Sequence, residues 1–237
     1  MMKKPSQNSE FNHFKDLSKE WWLENGKFKI LHTITPLRIE YIKDKIGKNK
    51  NSFKNLNILD LGCGGGLTCE PLSRLKGKVT GIDFVKNNIN VAKKHAEESE
   101  LDIRYINQDL SCITLTEKYD LILMLEVIEH LDDWKVVIEK TLKFLKPKGK
   151  IIFSTINRTF LSKIFAIHMA ENVLRWVPKK THNFEKFVKP EELTEFLKRK
   201  KMKIIDTTGL IYNPIFRNWN FNKKKLNINY FCTAQKF

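Results

Sequence analysis

The sequence of 237 residues has few cysteines and no long apolar run. The four cysteines form no C-x-x-C pair, which argues against a zinc site or disulfide framework and favours a reducing compartment. They are Cys63, Cys69, Cys112 and Cys232. No uncharged apolar run reaches about 18 residues, so no membrane-spanning helix is predicted. The N-terminus has no apolar segment behind its basic residues, and we expect neither a signal nor a transit peptide.

Acidic residues are in the minority, because 43 Lys and Arg stand against 27 Asp and Glu, for a formal net charge of +16. A surface of this charge attracts nucleic acid, anionic lipid or phosphorylated metabolites. A general richness in Lys, Asn and Ile, which an AT-biased genome produces, explains the charge equally well without a polyanionic partner. Net charge therefore leaves the class of partner open.

Two nucleotide-binding motifs are also absent. Glycines occupy positions 62, 64, 65 and 66 but position 67 is leucine, so G-x-G-x-x-G is not met, and no G-x-x-x-x-G-K-[ST] is present. The glycines nevertheless lie between an apolar run, ILDL, and a helical pattern. At such a turn they let a ligand approach the backbone near a helix N-terminus. A tight turn that needs positive φ is the alternative interpretation.

From Leu56 onward, short apolar runs alternate with amphipathic helical segments, as in βαβ units on a parallel sheet covered on both faces. The predicted strands are NILDL, KVTGID, IRYIN, YDLILML, GKIIFST, KIIDTTGLIY and LNINYFCTA. Only a polar, Asn/Lys-rich linker joins the last two, which is too little for a crossover helix. We therefore expect them to pair antiparallel at the sheet edge.

Asp83 ends the second predicted strand, 21 residues after Gly62. An acidic side chain at this position of such a sheet can accept hydrogen bonds from a ribose diol. Capping of the following helix is the alternative role. Together with the glycine loop, Asp83 favours a nucleoside-containing ligand.

These residues resemble a known family. DLGCGGG and GIDF resemble the first and second motifs of class I S-adenosylmethionine-dependent methyltransferases. LEVIEH, FSTINR, VPKKTHNFEKFVKPEEL, TGLIYNP and the leader segment TPLRIEYI narrow the resemblance to the ubiquinone-biosynthesis O-methyltransferases, which methylate a polyprenylated catechol or hydroquinol ring. The implied fold is α/β, a Rossmann-like seven-stranded, mostly parallel sheet with an antiparallel edge strand, helices on both faces and a helical N-terminal leader.

The resemblance implies one methyltransferase domain over residues 1–237. Its parts are a helical leader (1–55, with a helix starting at Thr35-Pro36), a cofactor-binding core (56–155), an amphipathic insertion or lid (156–189) and a last helix with the antiparallel strand pair (190–237).

The implied cofactor is S-adenosyl-L-methionine. Its predicted binding residues are Arg38, Gly62, Gly64, Asp83, Asp109 and Leu125. In this family the glycine loop packs against the methionine part and the acid after the second strand holds the ribose. Asp109 would lie near the adenine, although a loop cap is its alternative role.

LEVIEH places Glu126, Glu129 and His130 in the loop after the fourth strand, where open α/β sheets bind ligands. Two carboxylates and an imidazole can hold a divalent cation, Mg²⁺ or Zn²⁺, that also binds both catechol oxygens. His130 or Glu129 could take the phenol proton, with His182 as a second candidate base. The alternatives are that the cluster supports the loop without a metal and that His182 is an exposed loop histidine.

Residues 158–180 predict an apolar helix with basic flanks, typical of a helix lying on an anionic membrane surface. A lid packed on the protein's own core is the alternative. The resemblance implies a polyprenylated phenol or quinol substrate, a cytoplasmic enzyme peripherally associated with the inner membrane, and other ubiquinone-biosynthesis proteins as candidate partners.

Nucleic acid is disfavoured as a partner. The sequence has no N-P-P-Y or D-P-P-Y stretch and no basic module with interleaved aromatics. A methyltransferase for RNA or another small molecule is the alternative function. A non-enzymatic membrane protein that kept a cofactor fold is a second alternative.

Overall fold

The computed structural model describes residues 20–47, 51–162, 184–216 and 218–237. In chain order its helices and strands are α1 Lys29–Ile46, β1 Asn57–Leu61, α2 Cys69–Arg74, β2 Lys78–Asp83, α3 Lys86–Glu98, β3 Ile103–Asn107, β4 Tyr119–Leu125, α4 Trp134–Leu142, β5 Leu145–Ile156, α5 Pro190–Arg199, β6 Met202–Asn213, β7 Asn218–Asn222 and β8 Asn229–Lys236. Short 3-10 turns span Leu110–Cys112, Ile128–His130 and Phe184–Lys186.

The strands form one sheet in the order β3-β2-β1-β4-β5-β8-β6-β7. The first five in this order are parallel, and β8, β6 and β7 each run antiparallel to their neighbours. From β1 the chain continues to β2 on one side of the sheet, and from β4 it continues to β5 on the other side. This reversal of strand order opens a crevice at the carboxyl ends of β1 and β4. The predicted Rossmann-like α/β fold is confirmed.

Continuous apolar runs form the centre of the sheet. In β1 and β4, Ile58, Leu59, Ile122 and Leu123 are fully buried. Successive side chains point to opposite faces, so both faces must be covered, and one core cluster lies on each face. The carboxyl ends of these strands are thereby held rigidly.

Within the described residues the sheet has eight strands, one more than the seven predicted. The segment interpreted as a polar linker contains β7, which pairs with β6. Trp219 and Phe221 of β7 pack against the core, while asparagines occupy the positions between them. This alternation is a strand signal that the high asparagine content obscured. The antiparallel part of the sheet therefore has three strands.

The predicted start of α1 at Thr35-Pro36 is also wrong, because the helix begins at Lys29 and continues through Pro36. Proline removes one helical N–H and usually opens a helix. Here Ile34, Tyr41 and Ile42 are buried on both sides of the proline, and this packing outweighs the missing hydrogen bond.

Two predictions concern residues outside the described part. His182 is not described, and only residues 158–162 of the segment 158–180 are. The predicted division of the chain into parts of one domain stays a prediction. Among the helices of the described residues, none has both the length and the apolarity to cross a bilayer.

Tyr41 anchors α1 to the antiparallel strands, and its removal should cost stability. Its buried hydroxyl lies 2.9 Å from Asp206 Oδ2 and 2.9 Å from Thr233 Oγ1. We expect Tyr41→Phe to lower the free energy of unfolding by about 1–2 kcal/mol, because Asp206 and Thr233 each lose a hydrogen-bond partner. Urea unfolding measures the change. Tyr212→Phe, on an exposed ring of β6, is the matched control and should change stability by less than about 0.5 kcal/mol; equal effects would contradict the role of Tyr41.

Candidate active site

A cavity of about 250 Å³ opens at the carboxyl edge of the sheet, where β1, β2 and β4 end. All the predicted cofactor-binding residues line it, namely Arg38, Gly62, Gly64, Asp83, Asp109 and Leu125. Glu126 and His130 also line the cavity, whereas Glu129 does not. The parallel strands bring these residues together because their carboxyl ends meet at one edge.

The glycine loop needs its glycines for backbone conformation. Gly62, Gly64 and Gly66 have φ of +75°, +54° and +91°, which other residues rarely adopt. A β-carbon on Gly62 would also lie 2.5 Å from Val127 Cγ2. The loop is therefore a tight turn that needs positive φ, as the alternative interpretation of the glycines held. Its backbone also lines the cavity at Gly62 and Gly64.

Asp83 joins this loop to β2. Its buried carboxylate accepts hydrogen bonds from Gly64 N (3.0 Å), Val85 N (2.8 Å) and Asn88 Nδ2 (3.4 Å). Burial raises the pKa of Asp83, and the backbone hydrogen bonds from Val85 and Gly64 oppose the rise. A carboxylate has about four acceptor positions, so one stays available for a ligand hydroxyl.

Asp109 caps a turn, which was the alternative to contact with the adenine. Its Oδ1 accepts a hydrogen bond from Ser111 N at 2.8 Å and caps the turn Leu110–Cys112. The side chain still lies at the cavity wall. Contact with an adenine stays a prediction.

Glu126 directly follows β4, and its hydrogen bonds connect the end of that strand to β5, β8 and α1. Its carboxylate accepts hydrogen bonds from Ser154 Oγ (2.7 Å, β5), Asn229 Nδ2 (3.0 Å, β8) and Arg38 Nη2 (3.3 Å, α1). Its own φ is +56°, in the left-handed region. Strained residues of this kind cluster at functional sites.

The structure places Glu126, Glu129 and His130 in different surroundings. The 3-10 turn Ile128–His130 directs Glu129 into the protein and leaves His130 exposed at the cavity. Burial, and next the charge of Glu126, raise the pKa of Glu129 well above its ordinary value. Within the ranges that the structure describes, no group of three or more His, Cys, Asp and Glu side chains is arranged to hold a metal ion.

Several residues that line the cavity were missing from the predicted set, among them Trp21, Phe84 and Asp60. Trp21 lies in the leader before α1, Phe84 follows Asp83, and Asp60 lies beneath the glycine loop, where it accepts a hydrogen bond from Cys69 Sγ at 3.3 Å. The paired tryptophans at 21 and 22, in an otherwise polar segment, are a sequence signal that could have identified the first.

Comparisons with known proteins agree with this geometry. Residues 35–205 match a family described as methyltransferase domain. The chain is 43% identical over 236 residues to a ubiquinone biosynthesis O-methyltransferase of Bartonella tribocorum, covering 96% of this chain and 95% of that protein. A protein of the same name from Brucella anthropi is 41% identical over 236 residues, with the same coverage.

Solved structures share the fold. Magnesium protoporphyrin IX methyltransferase (ChlM) from Synechocystis PCC 6803, with bound SAM, has a TM-score of 0.67 at 15% identity and covers 100% of both chains. A SAM dependent methyltransferase from Aquifex aeolicus has a TM-score of 0.58 at 17% identity, covering 84% of this chain and 89% of that one. At these identities the likeness concerns the fold alone.

The buried Asp60 should make stability depend on pH. Burial raises the pKa of Asp60 from 3.8 to about 7, and Cys69 and Arg38 oppose the rise. At Asp60 the folded state therefore binds up to one more proton than the unfolded chain between about pH 4 and pH 7. Stability should fall across that window as pH rises, by up to about 1.4 kcal/mol per pH unit.

We expect Asp60→Asn to remove this contribution, so that the variant loses less stability than the wild type between about pH 4 and pH 7. Urea unfolding over a pH series measures both slopes. Asp102→Asn, at an exposed position, is the control and should keep the slope of the wild type. Parallel curves for the wild type and Asp60→Asn would contradict the assignment.

Proposed function

Because this chain belongs to the family of ubiquinone biosynthesis O-methyltransferases, we propose that it transfers a methyl group from S-adenosyl-L-methionine to a ring hydroxyl of a polyprenylated phenol or demethylated quinol. One observation carries the proposal: a bare glycine loop, the acid that ends β2 and a buried arginine line the same cavity at the reversal of the sheet. This arrangement suits a nucleoside with an amino-acid tail.

The residues present fit this cofactor. The backbone of Gly62 and Gly64 lines the cavity where the methionine part would lie, and Asp83 keeps one acceptor position for a ribose hydroxyl. Arg38 is buried, and among the described residues its Nε has no hydrogen-bond partner. Asp109 and Leu125 complete the proposed set at the cavity wall. When bound, S-adenosyl-L-methionine supplies the electrophilic methyl group.

Methyl transfer to a ring hydroxyl also requires a group that accepts the hydroxyl proton. Glu126 is engaged by three side chains, and Glu129 is buried and does not line the cavity. His130 is exposed at the cavity, and imidazole accepts protons near neutral pH. We assign His130 as the general base. Catalytic roles for Glu129 and His182 stay predictions.

A divalent cation, Mg²⁺ or Zn²⁺, at Glu126, Glu129 and His130 also stays a prediction. Three side chains already donate to Glu126, so about one acceptor position of its carboxylate is left for a metal. Glu129 is buried, and burial opposes the charged form that binds a metal. The functional test therefore includes an EDTA arm.

The first test is transfer of a labelled methyl group to a short-tailed demethylated ubiquinol, with EDTA and with Mg²⁺ or Zn²⁺ added back. We expect transfer by the wild type, and a decrease in kcat of about 100-fold or more for His130→Gln, because general bases contribute about that factor. His130→Gln should also lose the acidic limb of the pH profile of kcat. Affinity for S-adenosylhomocysteine should not change.

Asp132→Asn, at an exposed position in the same loop, is the control and should keep near-wild-type kcat. Activity that is lost to EDTA and restored by a metal would support the cation. No transfer by a wild type that binds the cofactor would favour the alternative, methylation of RNA or of another small molecule.

A polyprenylated substrate lies in a bilayer, so the enzyme must reach the membrane surface. We propose that residues 158–180 and the β6–β7 turn contact anionic lipid at the cytoplasmic face of the inner membrane. Phe160 and Leu161 begin the first segment, and both are exposed. Ile215 and Phe216, in the turn, are 83% and 72% exposed. Association with other ubiquinone-biosynthesis proteins stays a prediction.

The positions of these residues support the proposal. Ile156 at the end of β5 pairs with Asn229 of β8, and Asn229 pairs with Leu210 of β6. The chain therefore leaves β5 and β6 at the same edge of the sheet as the cavity. Asn213 Oδ1 accepts hydrogen bonds from the backbone N atoms of Ile215 (3.0 Å) and Phe216 (3.3 Å). These hydrogen bonds hold the backbone that carries the two exposed apolar side chains.

Vesicle flotation tests this surface. We expect Phe216→Asp to weaken binding to vesicles of mixed zwitterionic and anionic phospholipid by about ten-fold, because a charge replaces a membrane-inserting ring. Phe237→Asp is the matched control, since Phe237 is 77% exposed and follows β8 at the opposite edge of the sheet. Equal binding by the two variants would contradict a role for the turn.

A further inference from the structure

Residues 20–28, here called the clasp, lie across the glycine loop before α1 begins. The indole ring of Trp21 rests on Gly64 and Gly65, and a β-carbon on either glycine would lie 2.4 Å from a ring atom. The same side chain lines the cavity. The absence of side chains on the loop therefore also makes room for a tryptophan from a distant part of the chain.

Asn88 connects Trp21 to Asp83 through two hydrogen bonds. Its indole Nε1 donates to Asn88 Oδ1 at 2.9 Å, and Asn88 Nδ2 donates to Asp83 Oδ1 at 3.4 Å. An amide has one acceptor end and one donor end. The indole N–H therefore fixes which end of Asn88 faces the carboxylate, and so orients the acid proposed to hold the ribose.

Trp22 fastens the clasp to the loop and to α3. Its indole Nε1 donates to Gly65 O at 3.0 Å. Its ring stacks on His95, with ring centroids 3.5 Å apart and an interplanar angle of 2°. His95 Nδ1 in turn lies 2.5 Å from Glu70 Oε1, on a side chain buried in α2.

Phe28, directly before α1, and His32, within α1, contact Trp21 from the other side. Its ring stacks on the buried Phe28 at 3.9 Å between centroids, and its carbonyl oxygen lies 2.8 Å from His32 Nε2. The indole is thus fixed on both sides before a ligand binds. Such preorganisation lowers the entropic cost of binding.

We infer that Trp21 is a cofactor-binding residue, whose indole forms one wall of the S-adenosyl-L-methionine site, and that Trp22 is a positioning residue that holds it there. This inference rests on the proposed function, because it assigns the cavity to that cofactor. It adds a segment of the leader to a site otherwise built from the sheet edge and α1.

Binding of S-adenosylhomocysteine, followed by calorimetry and tryptophan fluorescence, tests the inference. For the wild type we expect binding and a change in emission. Trp21→Phe should weaken binding by about ten-fold, or about 1.4 kcal/mol, and should lose most of the emission change. Trp22→Phe should weaken binding less and keep the change, because Trp21 is still present.

Trp219→Phe, on β7 and packed against Tyr212, is the control and should match the wild type in both measurements. Unaltered affinity together with a full emission change in Trp21→Phe would overturn the inference and leave the proposed function intact. A wild type that binds no S-adenosylhomocysteine would instead overturn the proposed cofactor, and the inference with it.

A measurement on the wild type alone avoids any loss of folding in the variants. Hydrogen exchange of the amides in residues 20–28 should slow by about ten-fold or more when S-adenosylhomocysteine binds. Amides of β7 should exchange at the same rate with and without it. Unchanged exchange in residues 20–28 at saturating ligand would count against contact with Trp21.

Discussion

The ion pair between Arg38 and Glu126 is the interaction on which the cavity depends. Arg38 belongs to the leader helix, whereas Glu126 directly follows β4, and the same carboxylate also accepts hydrogen bonds from β5 and β8. A buried guanidinium without this partner would be costly, since breaking a buried pair leaves an uncompensated charge. The pair therefore fixes the leader on the sheet and closes one side of the site, at the expense of a left-handed conformation at Glu126.

Asp83 organises the opposite side in a similar way. Its carboxylate holds the backbone of the glycine loop through Gly64 and the start of α3 through Val85, and Asn88 connects it to Trp21. The local alternatives for Asp83 and the glycines, a helix cap and a tight turn, are thus both present. They do not compete with ligand binding, because the same hydrogen bonds that shape the loop leave Gly62, Gly64 and Asp83 at the cavity wall.

The proposed chemistry and the proposed membrane surface share one edge of the sheet for a topological reason. Parallel strands place their carboxyl ends together, and the antiparallel β8 and β6 extend that edge toward the β6–β7 turn. Polar groups for the reaction therefore lie in the crevice, while exposed apolar residues such as Phe160 and Phe216 lie where the chain leaves the sheet. A substrate with a polar ring and an isoprenoid tail would meet both regions at once.

The sequence by itself determined the central strands, the glycine loop and the position of Asp83. Continuous apolar runs such as that of β4 can be satisfied only by burial on both faces, and glycine adopts the positive φ of positions 62 and 64 more readily than other residues. Only the tertiary structure decided that Glu126 pairs with Arg38, 88 residues away, that Glu129 turns inward, and that Trp21 rests on the glycine loop. Such contacts depend on which distant side chains packing brings together, and no local pattern along the chain specifies them.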